Sequence, residues 1–343
     1  MINAQGRKNK NIAITLITLT VVLFAATVFA VCVGKYPVSP SESLSVIFRA
    51  ITFQEQIADA MTVNVILGLR LPRIIASIFV GAALSISGAC YQGIFKNPLV
   101  SPDFLGVSSG ACIGAALAIL LGLTSAYISL LAFIGGIVAV LITAAIPAMI
   151  KNRSNIMLVL AGIIVSSLMS SILGFIKYTA DPDTQLASIT YWTMGDFSYV
   201  SPKDLITMAI VLVPSMIILM LMSWWIDVLS MGEDEAKTLG ANVRLVRAIA
   251  ILCSTLLTSG SICLAGTIGW VGLIIPHFSR MMVGSSNRKV LPVSCLVGGL
   301  FMLMVDTITR IIGATEMPVS IMTGIVGAPF FCWLLFKRKD EVM

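Results

Sequence analysis

Charge is what this sequence is poorest in. Of 343 residues only 11% are Asp, Glu, Lys or Arg, against 58% hydrophobic, too little polar surface to cover a water-soluble globule of this size. Histidine occurs once, at His277, and one imidazole among apolar runs cannot build a metal site unaided. The seven cysteines (Cys32, Cys90, Cys112, Cys253, Cys263, Cys295 and Cys332) stand singly inside apolar stretches without CxxC or Cys/His spacing. They read as small buried residues and argue against metal or disulfide chemistry. No GxxxxGK[ST] occurs, so the chain has no phosphate-cradling loop and any ATP must be hydrolysed by a partner. Nearly every apolar run also lacks an ionisable side chain, which disfavours the alternative of an ion-coupled secondary transporter. An intramembrane enzyme would need a Ser/His or paired-aspartate constellation at membrane depth, and none is present.

What the sequence does have is apolar runs of roughly 20 residues from end to end, the length a helix needs to cross a hydrocarbon layer while satisfying its own backbone. Hydropathy predicts an all-α polytopic membrane protein with about ten transmembrane helices, near 12–34, 71–95, 105–123, 126–149, 155–177, 204–226, 244–262, 264–281, 290–312 and 319–336. The first run, Ile12 to Val33, follows Arg7, Lys8 and Lys10 but is too long for a signal peptide, and reads as a retained span. With the N-terminus inside, 15 of the 22 Lys and Arg fall on inner segments, Arg153 among them, and 7 on outer ones; the acids divide 7 inside and 9 outside. Both counts favour N-in, C-in. The outer stretch Pro37 to Leu69 contains SESLSVIFRAI, a candidate surface helix. The outer stretch Tyr178 to Pro202, with Trp192, Trp224 and Trp225 expected near its interfaces, reads as a re-entrant or interfacial segment. No linker divides the chain, so residues 1–343 form one membrane domain, with no nucleic acid expected as a partner.

Three segments stand out. In GACYQGIFKNPLVSPDFLGVSSGA, Gly88 to Ala111, the residues Asn97, Pro98 and Pro102 cannot continue the helix that carries Gln92, so the chain turns; Gly106 and the small residues after it let the next helix approach a neighbour closely. In MGEDEAKTLGANVRLVR, Met231 to Arg247, Glu233, Asp234 and Glu235 open a short polar helix where acids suit the dipole, and Gly240 ends it. Ala236 and Leu239, presented together, suggest a docking surface; an ordinary surface helix is the plainer reading. In LRLPRI, Arg70 and Arg73, with the distant Arg310, sit at the outer mouth against the positive-inside trend. Arginines at helix ends often just snorkel, but three at one face suit carboxylates, which the guanidinium fork matches. Asp306, four residues before Arg310, has the spacing of a same-face ion pair.

As an ordered set these segments, with YWTMGDFS, LAGTIGWVGLIIPHFSR, MVDTITRII and EMPVSIMTGIVGAPFFCWLL, resemble the FecCD-type permeases of ABC importers for iron siderophores, haem and cobalamin. The departure is Val100, where many relatives have alanine after NPL. The resemblance implies a type II importer permease in the bacterial or archaeal cytoplasmic membrane. It implies two permease copies, or a copy and a homologue, that bind no cofactor themselves, two ATPase subunits that bind ATP and magnesium, and an extracytoplasmic substrate-binding protein. It further implies that residues 230–241, through Gly232, Glu233, Glu235, Ala236, Leu239 and Gly240, form a coupling helix for the ATPase. Arg70, Arg73 and Arg310 would receive acidic residues of the binding protein. A central path would run at the dimer interface beside spans five and eight.

Overall fold

The computed structural model describes residues 2–55, 58–151, 154–312 and 316–342. Arg153 and the side chains of Arg7, Lys8, Lys10, Lys337, Arg338 and Lys339, counted above among the inner basic residues, lie outside what is described. Among the described residues all regular structure is helical. The chain runs through α1 (Ile2–Cys32), α2 (Pro40–Ile51) and α3 (Ala60–Val63), which continues through a π-helical stretch, Asn64–Arg70, into α4 (Leu71–Ile94). A 3-10 turn, Pro102–Leu105, precedes α5 (Val107–Leu120), α6 (Ser125–Met149), α7 (Asn155–Thr179) and the short α8 (Gln185–Met194). Then come α9 (Pro202–Leu221), α10 (Ser223–Met231), α11 (Glu233–Thr238), α12 (Val243–Ala265), α13 (Val271–Val283), α14 (Asn287–Ile311) and α15 (Val319–Val342).

Seven described helical stretches are long and apolar enough to cross a membrane; α5, α13 and Val319–Trp333 of α15 are apolar but shorter. The surface helix expected after Pro37 is α2, whose first turn is capped by Ser39 Oγ accepting from the Glu42 N–H. The run expected as one helix over 204–226 is two. The chain turns at Met222 and α10 leaves the axis of α9, so that Asp227 meets the start of α14. This corrects the placing of Trp224 and Trp225: they lie on α10, at the opposite end of α9 from Trp192, with Arg288 of α14 over the Trp224 ring at 5.8 Å.

The helices differ greatly in burial, and the mostly buried ones are slightly less apolar than the rest. The apolar window of α4 is 83% buried and that of α12 is 72% buried, against 17% for α7 and 22% for α9. Small side chains put α4 at the centre. A Cβ on Gly88 would collide with the carbonyl oxygen of Gly272 on α13, and one on Gly81 with that of Gly298 on α14, so these backbones pass at a distance only glycine allows. Ser87 adds polar ties to α12, donating to the Ser254 carbonyl at 3.1 Å and meeting the Thr258 hydroxyl at 3.1 Å. Helices α4 and α14 run antiparallel and define two polar ends. One gathers Arg70, Arg73, Ser198, Asp306, Arg310 and Glu316; the other gathers Gln92, Asp227, Arg280 and Asn287.

Candidate functional site

The structure brings Arg70, Arg73 and Arg310 to one end, but as internal clamps: each is only 6% exposed. The π-helical stretch leads into α4 with Arg70 aimed at the end of α1, where it donates to the Val31 carbonyl at 2.9 Å and the Tyr36 carbonyl at 2.6 Å. Arg310 donates to the Ala30 carbonyl and the Thr307 hydroxyl, both at 3.3 Å, and its Nε lies 3.4 Å from Asp306 Oδ2, the pair its i, i+4 spacing predicted. Arg73 is the hub: Nε donates to Asp306 Oδ1 at 2.8 Å, and Nη1 to Ser198 Oγ at 2.8 Å and Glu316 Oε2 at 2.6 Å. The single hydroxyl proton of Ser198 is within reach of both Asp196 Oδ1, at 2.7 Å, and Glu316. The expected picture of three water-facing arginines is therefore corrected. A guanidinium at the end of a buried helix lowers its cost by collecting carbonyls and acids from neighbouring helix ends.

Glu316 is the open member of this cluster. Its side chain is 37% exposed, whereas Asp306 is wholly buried. Partial burial works to raise the Glu316 carboxyl, but the hydrogen bond from Ser198 and the charge of Arg73 outweigh it and hold the group below its ordinary value. Neither Glu316 nor Ser198 was singled out from sequence. Their signal was an acid and a hydroxyl in loops between apolar runs on the arginine side, too common a feature to carry weight.

The hairpin residues meet at the other end. Asn97 Oδ1 accepts from the Leu99 N–H at 2.9 Å, Pro98 follows it, Pro102 opens the 3-10 turn, and Gly106 turns the chain into α5 at φ 83°. Gln92, at the end of α4, bridges to α13: it donates to the Leu273 carbonyl at 3.1 Å and accepts from Arg280. Pro276 leaves the Gly272 carbonyl without its helical donor, and Gln92 binds the carbonyl next to that gap. Beside it, Asp227 caps α14 from another helix, accepting from the Asn287 N–H at 2.6 Å, Asn287 Nδ2 at 2.9 Å and Ser286 Oγ at 2.8 Å.

Six residues beyond Asp227 the chain enters α11. Glu233, Asp234 and Glu235 occupy its first turn, and Gly240, at φ 80°, follows its last turn in the left-handed conformation that glycine favours. Arg247 of α12 pairs with Glu233. Ala236 and Leu239 do not share a face: Ala236 is buried among Val228, Leu229, Val243 and Val246, whereas Leu239 is 53% exposed. A two-turn segment packed on two helices must spend one small residue on its own seat, and the exposed residues around it are Glu233, Asp234, Glu235, Lys237, Thr238 and Leu239.

Apolar helices long enough to span, polar groups gathered at both ends and a polar hook on one of them define a multi-pass helical membrane subunit. Residues 19–337 match the sequence profile of the FecCD transport family, and the chain belongs to it. It is similar to the molybdate import system permease protein MolB of Haemophilus influenzae, 37% identical over 94% of this chain and 95% of that one. It is similar also to a Helicobacter pylori protein named "Probable iron chelatin transport system permease protein", 40% identical over 80% of this chain and 83% of that one. A solved inward-facing structure of a transporter described as of metal-chelate type superposes with a TM-score of 0.84, at 36% identity over 94% of this chain and 98% of that one. The chain is thus an ABC importer permease.

Proposed function

We propose that this permease passes an iron chelate, a ferric siderophore before haem or cobalamin, across the cytoplasmic membrane. It works as one ten-span domain with both termini inside, paired with a second permease. On this reading the end with α11 faces a pair of ATPases that bind ATP and magnesium, and the end with Arg73 faces an extracytoplasmic binding protein. The observation that carries the reading is α11: a polar, charged-faced hook, seated by Ala236 and closed by Gly240, offers a partner a rigid handle. The arginine face is the docking surface for acidic lobes. Within it Arg70 and Arg310 hold the helix ends that shape the surface, and Arg73 is the arginine whose carboxylate partner reaches water.

The test is uptake in vesicles containing permease, ATPase and binding protein, with Leu239→Glu as the uncoupling variant. A carboxylate on the free face should weaken ATPase assembly at least tenfold without altering the melt of the permease, since Leu239 is 53% exposed. Normal ATP-driven uptake with this variant would remove α11 from the coupling role. Offering labelled ferric chelate and molybdate in parallel settles the cargo, because a molybdate permease is among the relatives; uptake of molybdate alone would replace the iron reading.

A further inference from the structure

We propose that Glu316 is a resident stand-in for the binding protein's carboxylate: it occupies Arg73 while the permease is free and is displaced when an acidic residue of the binding protein docks. The inference rests on the docking reading above and names the group with which the partner must compete.

Of the two acids bound to Arg73, only one can exchange. Asp306 is wholly buried and held between Arg73 and Arg310, whereas the Glu316 side chain is 37% exposed and reaches Arg73 Nη1 from the open side. Arg70 and Arg310 are held chiefly by main-chain carbonyls of α1 and the loop after it, which no incoming carboxylate displaces without breaking that loop. Charge sets the direction. Arg73 and Arg310 pair with Asp306 and Glu316 while Arg70 adds a further positive charge nearby, so an arriving acid is attracted, but a departing Glu316 with nothing to replace it would leave Arg73 and Arg310 on one acid. Exchange therefore occurs only when a second carboxylate is in place. Glu316 returns to water at little cost because it is already half there, and Ser198, whose hydroxyl now bonds Glu316, is positioned to donate to the newcomer. The exchange is also placed to be felt inside the bundle. Glu316 lies three residues before α15, whose first N–H binds the Gly195 carbonyl at 3.0 Å, and Gly195 closes α8 next to Asp196 and Ser198.

The experiment titrates the fluorophore-labelled cognate binding protein onto the permease–ATPase complex in nanodiscs, with the wild type, Glu316→Gln and Glu316→Asp. Both variants vacate Arg73, one by removing the charge and one by shortening the reach. A removed competitor makes docking tighter, the opposite of a lost contact. We expect about three- to fivefold lower Kd at low salt, with the gain shrinking at about 0.5 M salt, where the Debye length is only a few ångströms. Equal or weaker binding by both variants, each eluting and melting as a folded complex, overturns the stand-in. The docking reading fails separately, if wild-type affinity is insensitive both to salt and to Arg73→Lys. Salt-sensitive docking without a gain from either Glu316 variant sinks the stand-in alone.

Discussion

Two ion pairs of this protein have nearly equal lengths and opposite surroundings, which makes them a test of what burial does to charge. Arg73 Nε lies 2.8 Å from Asp306, with the two side chains 8% and 0% exposed; Lys237 Nζ lies 3.0 Å from Asp234, with 60% and 92% exposed. Coulomb attraction at equal distance is screened by water in the second case and hardly at all in the first. Asp306→Ala leaves Arg310 without an acid and Arg73 with only the half-open Glu316. Removing one partner of a buried pair costs about 3–5 kcal/mol; the remaining Glu316 pair puts this variant at the lower end, about 3 kcal/mol. The variant should melt several degrees lower in a fluorescence-detected thermal assay in detergent, and refolding from partial denaturation should recover less of the folded peak. Asp234→Ala should melt with the wild type, because an exposed pair gains little beyond the entropy of holding two mobile side chains. If Asp306→Ala melts with Asp234→Ala and the wild type, the Arg73–Asp306–Arg310 cluster contributes nothing and the description of it as the clamp at that end is wrong.

Gly88→Val should abolish folded protein in a size-exclusion assay, since its side chain must enter the Gly272 carbonyl across the α4–α13 crossing; Gly122→Val, where a Cβ meets nothing and only the left-handed φ of 67° opposes it, should still yield folded material. The Glu316 pair should be sensitive to acid. A carboxyl held below its ordinary value of 4.5 contributes stability above that value and loses it as pH falls through the lowered one, so the melting difference between wild type and Glu316→Gln should be present at neutral pH and close below pH 4.5. A difference that widens on acidification would refute the assignment of Arg73 as its partner.

The positions of the membrane helices were legible in the residues because spanning is a local demand: each apolar run must be long enough and must satisfy its own backbone, whatever its neighbours are. The same locality made the ends readable, as with Gly240 after α11, and Asn97, Pro98 and Pro102 in the hairpin. The i, i+4 pair of Asp306 and Arg310 was visible for the same reason. The match to the FecCD family follows from motifs in order along the chain, again a one-dimensional property.

What the tertiary structure alone decided is which apolar surfaces meet. Lipid tails are as apolar as a protein core, so the mostly buried α4 and α12 need not be the most apolar, and they are in fact slightly less apolar than α7 and α9, which mostly face outward; which surfaces meet is decided by small residues that let backbones touch. Two more facts needed the third dimension. Arg73 finds Asp306 across 233 positions, and it is this meeting of helix ends that turns three apparently free arginines into clamps and leaves Glu316 as the open one of the two acids on Arg73. Ala236 on α11 and Leu239 just past its end, three apart, point one inward and one outward only because α10 and α12 offer a seat on a single side. A short polar helix has no strong face of its own, and its neighbours choose it.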